Sequence, residues 1–233
     1  MMVMKERGNI LFLILLAIIL FVALSYAVTG QREQVKTGGE QVDALAAQIV
    51  QAGNLLENTI MREMVVNSVP EYGFDFSGTN SNSTANATCT SQNCRLITGS
   101  GGKVSLPAIP VWASNNYSAS FANANVWVIE VMDVGTSAPD VVLFYRYLSD
   151  DLCAALNKGL GQTGINLSVS DGIGNSAVNN TYSGTMTAIV PPTSTTSVTY
   201  GDDDPTLRGR RAFCHRNNAG LVQNVYVQVL IAR

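Results

Sequence analysis

One segment governs what this chain can become. From Asn9 to Val28 it reads NILFLILLAIILFVALSYAV, 20 residues without a charged side chain. As a helix rising 1.5 Å per residue it is roughly 30 Å long, the thickness of one bilayer hydrocarbon core. No other apolar run of that length occurs in the 233 residues. Such a helix has two comfortable surroundings, lipid and a bundle of similar helices, since exposing so much apolar surface to water is unfavourable. The leader before it carries Lys5 and Arg7 and ends in Gly8. Positive charge on that flank predicts a cytoplasmic N-terminus, with the chain beyond the run carried across the membrane.

The part beyond is 205 residues, Thr29 to Arg233, which suits one domain on a stalk. A net charge of −3 and only 13% charged residues leave neither a nucleic-acid footprint nor a polybasic lipid patch. All four cysteines, Cys89, Cys94, Cys153 and Cys214, follow the apolar run. In an oxidising compartment an even number reads as two disulfides, for which three pairings exist. The short loop brings Cys89 and Cys94 together at little entropic cost, so the predicted pairs are Cys89–Cys94 and Cys153–Cys214. Zinc is the competing use. A CxxxxC followed by two distant single cysteines, with His215 the only histidine, is a poor zinc pattern.

Periodicity sets the layout. Val42, Leu45, Ile49, Ala52, Leu56 and Ile60 recur at three- and four-residue spacing and form one apolar stripe, while Asp43, Gln48, Gln51 and Asn54 fall mainly off it. This predicts a long helix from about Ile10 to Val66, weakest at Gly38-Gly39 and closed by Pro70. Beyond it the period changes. Segments 125–134 and 140–148 are rich in β-branched and aromatic residues around the turn GTSAP, which predicts a hairpin. SDDLCAALNKGLG reads as a short helix capped by Ser149 or Asp150, with Leu152, Leu156 and Leu160 on its face. NVYVQVLIAR reads as a strand that pairs with the hairpin, and the Asn/Ser/Thr/Gly-rich stretch 161–200 as turns with two weak strands.

The leader ending in Gly8, the apolar helix directly after it, the amphipathic continuation and the mixed C-terminal domain together resemble the type IV pilin and type II secretion pseudopilin superfamily. That resemblance implies cleavage between Gly8 and Asn9 by a prepilin peptidase and methylation of the new N-terminus. It also implies that the helix is kept, first as a single-pass anchor in the inner membrane with the C-terminal domain periplasmic. Later the helix becomes the core of a filament built with other pilin or pseudopilin subunits and displayed outside the cell. The family usually has Phe or Met at the mature first position and Glu at the fifth; here these are Asn9 and Leu13. Loss of that glutamate resembles the tip-type minor pseudopilin, which implies an accessory subunit rather than a bulk one. ERGN.LFLIL…ALSYAV, C.A.N..LG and Q.L.AR further resemble a group of bacterial proteins of this length, a likeness that implies no activity. Two other fates stay open: signal peptidase could cut after Ser25-Tyr26-Ala27, or the anchor could stay uncleaved. Either would leave a periplasmic binding or adhesive domain that does not polymerise. No cysteine stands at a lipobox position.

Candidate chemistry is sparse. His215, near Arg208, Arg210, Arg211 and Arg216, is either an acid/base in an anion site or part of a solvated basic loop beside a disulfide; without a nucleophile signature the second reading is preferred. Asp202, Asp203 and Asp204 form an acidic turn, which the pilin resemblance extends to a calcium loop although EF-hand spacing is absent. Asp150 and Asp151 suit a helix start. Asn82, Asn86, Asn116, Asn166 and Asn179 match the glycosylation sequon, and Trp112 and Trp127 read as core. The expectation is therefore an α+β, pilin-like protein and not an enzyme: leader 1–8, transmembrane and assembly helix 9–28, amphipathic continuation 29–69, and a disulfide-containing domain 70–233 whose small antiparallel sheet packs on the helix.

Overall fold

The computed structural model describes residues 14–21, 37–78, 85–98, 101–115, 127–134, 138–162, 182–184, 207, 209–217 and 223–233. The chain divides into two units, Met1–Glu40 and Gln41–Arg233. In the first, residues 14–21 are helical (α1) and exposed along their whole length. Gly8 and Asn9 lie outside the described residues, as does the stretch 22–36 through which one continuous helix would have to run.

Helix α2 spans Thr37–Val66. It takes in Gly38 and Gly39, which have open space where a side chain would sit. Its predicted stripe is the one it buries: Val42, Leu45, Ile49, Leu56 and Ile60 are all in the core, and Ala52 packs against it. The helix ends ahead of Pro70. Ser68 takes a left-handed conformation (φ 52°), which turns the chain so that the Val69 amide donates to the Glu63 carbonyl at 3.2 Å.

The domain is α+β, with a four-stranded antiparallel sheet in the order β1-β2-β4-β3. Strands β1 (Trp127–Asp133) and β2 (Pro139–Leu148) form the predicted hairpin, in register from Trp127 opposite Tyr145 to Asp133 opposite Pro139. The C-terminal strand β4 (Gln223–Ile231) lies against β2, as its pattern predicts. Strand β3 (Ala212–Asn217) pairs with β4 and corrects the sequence reading, which placed this segment in a solvated basic loop. Helix α3 (Asp150–Gly159) starts where predicted, with the Ser149 hydroxyl accepting from the Leu152 amide at 3.2 Å.

Both faces of the sheet are apolar. Ile129, Val131, Val141, Leu143, Tyr145, Cys214, Tyr226 and Leu230 join α2 and α3 in the main core. Val142, Phe144, Phe213, Val225, Val227 and Val229 make a second cluster with Val134 and Leu207. Alternation along each strand sends successive residues to opposite faces, so two buried faces read as nearly continuous hydrophobic sequence.

In chain order the described residues between α2 and β1 form short 3-10 turns and isolated bridges. Asp75 bridges Arg95, Ile97 bridges Val104, and Ser114 bridges Leu148. Gly102 is required there, since a Cβ would lie 2.3 Å from the Leu96 and Ile97 backbone.

Candidate functional site

The first candidate surface is α1. Ile14, Leu15, Leu16, Ile18, Ile19, Leu20 and Phe21 are each between 44% and 71% exposed, an apolar helix with no side turned to a core. Among the described residues no helix is long and apolar enough to cross a membrane.

The second is the covalent frame. The structure contains the disulfides Cys89–Cys94 and Cys153–Cys214, the pairing read from loop length. The second bridge joins α3 to β3 and is one of three ties. Asn157 donates its amide to the Cys214 carbonyl (2.7 Å) and accepts from the Cys214 amide (2.8 Å). Gln162 donates to the Ala212 carbonyl at 2.7 Å. Strand β3 lies at the sheet edge, and these side chains occupy backbone groups that an edge strand would otherwise expose. The motif C.A.N..LG is thus the docking face of α3, from Cys153 through Ala155 and Asn157 to Leu160.

Among the described residues, charged groups cluster in two places. Glu63, without solvent-exposed side-chain surface, is held by Lys103, Asn67 and Arg62, the last at 3.2 Å. The Lys103 hydrogen bond, foremost, keeps its carboxyl below the usual range against the opposing effect of burial. At the start of α3 Asp150 accepts from Arg216 and from Asn224, each at 2.6 Å, and Asn224 also donates to the Leu148 carbonyl at 3.0 Å. The Arg216 hydrogen bond, more than any other contact, lowers the Asp150 pKa. Asp150 is therefore more than a helix-start residue.

Other sequence candidates fall differently. His215 is buried in β3, edge-on to Phe213 with ring centroids 5.7 Å apart, so it belongs to no open anion site. Asp202, Asp203 and Asp204 lie outside the described residues, and among those described no group of His, Cys, Asp and Glu is placed to hold a metal ion. Asn86 is a sequon residue that this fold closes to a glycan. It is buried, donates to the Tyr72 and Phe74 carbonyls (2.8 Å each), and accepts from the Thr88 amide and hydroxyl. Asn82, Asn116, Asn166, Asn179 and the Trp127 side chain are outside the described set. Trp112 is a correction: it is 52% exposed rather than core, because its turn buries Ile109 and Ala113 instead.

Sequence reasoning missed Gln228. This buried amide on β4 accepts from the Tyr226 hydroxyl and donates to Asn54 Oδ1 of α2, both at 3.0 Å. It sits where Gly53 leaves room: a Cβ there would lie 1.9 Å from Gln228 Oε1. The signal was a glycine inside an otherwise regular amphipathic helix. No family model, curated protein or solved structure matches the chain.

Proposed function

We propose that the chain is a structural, non-catalytic subunit of a type IV pilus or secretion pseudopilus, of the accessory or tip kind. In this reading residues 9–28 anchor it in the inner membrane, N-terminus inward, until assembly moves that helix into a bundle with other subunits. The observation that carries the reading is the contrast between two helices. Residues 14–21 expose apolar side chains on every side, whereas α2 buries a single stripe under an antiparallel sheet. A helix of the first kind needs lipid or other helices around it; one of the second kind completes its own domain. Two disulfides and no free cysteine suit the oxidising side of the membrane.

Processing tests this. Mass measurement and N-terminal sequencing of the native protein should give Asn9 as the first residue, and Gly8→Val should leave an unprocessed chain in the inner membrane. A native start at Val28 or Met1 would remove the pilin assignment and favour an exported or permanently anchored domain.

A further inference from the structure

An amine and a carboxamide meet on one carboxylate at the C-terminal end of α2. Glu63 has no exposed side-chain surface. Its Oε1 accepts from Lys103 Nζ and its Oε2 from Asn67 Nδ2, so the two groups sit on the two oxygens of a single covered side chain. Arg62 donates to Oε1 as well, at 3.2 Å. The backbone fixes both partners. Asn67 follows Glu63 by one helical turn, its amide donating to the Glu63 carbonyl at 3.1 Å, and the left-handed Ser68 ends the helix there. Lys103 follows Gly102, whose backbone runs too close to Leu96 and Ile97 to carry a side chain. The Lys103 and Val104 amides both donate to the Leu96 carbonyl, at 2.9 and 2.8 Å, and the Gly102 amide to Ile97 at 3.0 Å. A lysine ordinarily carries its amine into water. This one, 37% exposed, instead reaches across 40 residues of sequence to the helix end. An ion pair needs only the lysine or the arginine. The carboxamide beside them completes the parts of an acyl transfer: nucleophile, acyl donor and base.

We propose that the Lys103 and Asn67 side chains join in an intramolecular amide bond, formed by this chain itself with Glu63 as the base. Glu63 takes a proton from the Lys103 ammonium, and the freed lone pair attacks Asn67 Cγ. Returning that proton to Nδ2 lets the Cγ–Nδ2 bond break, its electron pair leaving with the nitrogen as ammonia. Glu63 then takes the second Nζ proton and passes it to the ammonia. The products are the Lys103–Asn67 amide and one ammonium ion, with the carboxylate restored, and the balance needs no co-reactant. Arg62 stays charged throughout, so Glu63 keeps a cation when Lys103 becomes neutral. Asn67 is exposed, which gives its amide room to turn towards the separation of about 3–3.5 Å that attack requires. The step is slow, because the Lys103 hydrogen bond keeps Glu63 ionised and the proton must move against that preference. Freshly folded protein therefore holds the ion pair and aged protein the amide, and stability measurements on fresh protein read the pair. The bond ties the last turn of α2 to Lys103, around the Cys89–Cys94 loop. It requires no second subunit, and forms whether the chain polymerises or stands as a single anchored domain.

The test is peptide mass mapping of the full-length protein, purified in detergent micelles, aged for several days with its disulfides intact and then digested. Expected is a branched peptide joining the Asn67 segment to the Lys103 segment, lighter by about 17 Da, one ammonia, than the two together. Asn67→Ala and Lys103→Arg should abolish it, and Glu63→Gln should slow its formation about tenfold or more. Melting curves of fresh protein are read first. Lys103→Arg keeps a cation on Glu63 and should keep the wild-type midpoint, so it carries the test should Glu63→Gln melt early. Unlinked peptides in the aged wild type overturn the proposal. So does a loss of ammonia that persists in Lys103→Arg, which would mark a cyclic imide at Asn67-Ser68 instead. An unchanged rate of linkage in folded Glu63→Gln overturns it as well, by removing the base.

Discussion

The side-chain amide of Asn157 and the peptide of Cys214 form a closed two-bond pair, 2.7 Å and 2.8 Å, across 57 residues of sequence. One helical turn earlier, Cys153 is disulfide-bonded to the same residue. Helix α3 is therefore tied to β3 twice at one point, covalently and through a buried amide. Asn157→Ala should cost about 2–3 kcal/mol, because it leaves the Cys214 amide and carbonyl buried without that partner. Asn157→Asp should cost more at pH 7, since its carboxylate can still accept from the amide but cannot donate to the Cys214 carbonyl and places a buried charge against it. Denaturant melts of the two variants with the disulfide intact check the order; equal losses would mean that shape, not hydrogen bonding, decides.

Glycine 53 is held by Gln228 rather than by helix chemistry. Alanine in a helix interior is worth about 1 kcal/mol over glycine. Gly53→Ala would nevertheless push Gln228 off Asn54 and Tyr226, and disrupting buried amide hydrogen bonds costs about 1–3 kcal/mol. The net effect should be destabilising by about 1 kcal/mol. In a Gln228→Ala background the same substitution should become stabilising. A double-mutant cycle by thermal melting reads the change of sign, and a Gly53→Ala penalty that persists without Gln228 would refute the close-contact explanation.

Acid should find Glu63. Its pKa is lowered in the folded chain, chiefly by Lys103, so it binds fewer protons folded than unfolded near pH 4. Its contribution is thus fully present above about pH 4.5 and is lost as the pH falls through the lower folded value. Glu63→Gln should cost about 2 kcal/mol at pH 7 and flatten the fall in stability as the pH drops below about 4.5. Melting temperatures measured across that range check both statements. An unchanged acid limb in the variant would place the pH sensitivity elsewhere.

The two helices should separate by mutation. A chain beginning at Thr29 should be soluble, folded and disulfide-bonded, and Leu45→Asp or Ile49→Asp should unfold it by placing an unpaired charge among Leu56, Ile60 and the sheet. Leu13→Asp should leave that domain untouched and impair membrane insertion or assembly of the whole chain. Circular dichroism of the shortened protein and fractionation of the full one distinguish these effects. A cooperatively melting Leu45→Asp domain would show that the stripe is dispensable for folding.

What the sequence determined by itself is whatever depends on near neighbours. Val42 to Ile60 recur at helical spacing, and that local period alone selects the face α2 buries. The hairpin around GTSAP, the Ser149 cap and the Cys89–Cys94 pair are likewise settled within a few residues of chain. The tertiary structure decided the rest. Strand β3 is six residues with a histidine, an arginine and an asparagine, and it is extended because β4 and α3 hold it, not because its composition demands it. Gln228 meets Asn54 across 174 residues, and the exposure of Trp112 follows from Ile109, Ala113 and Tyr145 taking the buried positions around it. Periodicity records which side of an element is apolar. Which partner that side meets, and which polar group is buried with it, is fixed by long-range packing, because only there do desolvation and hydrogen bonding settle each group's place.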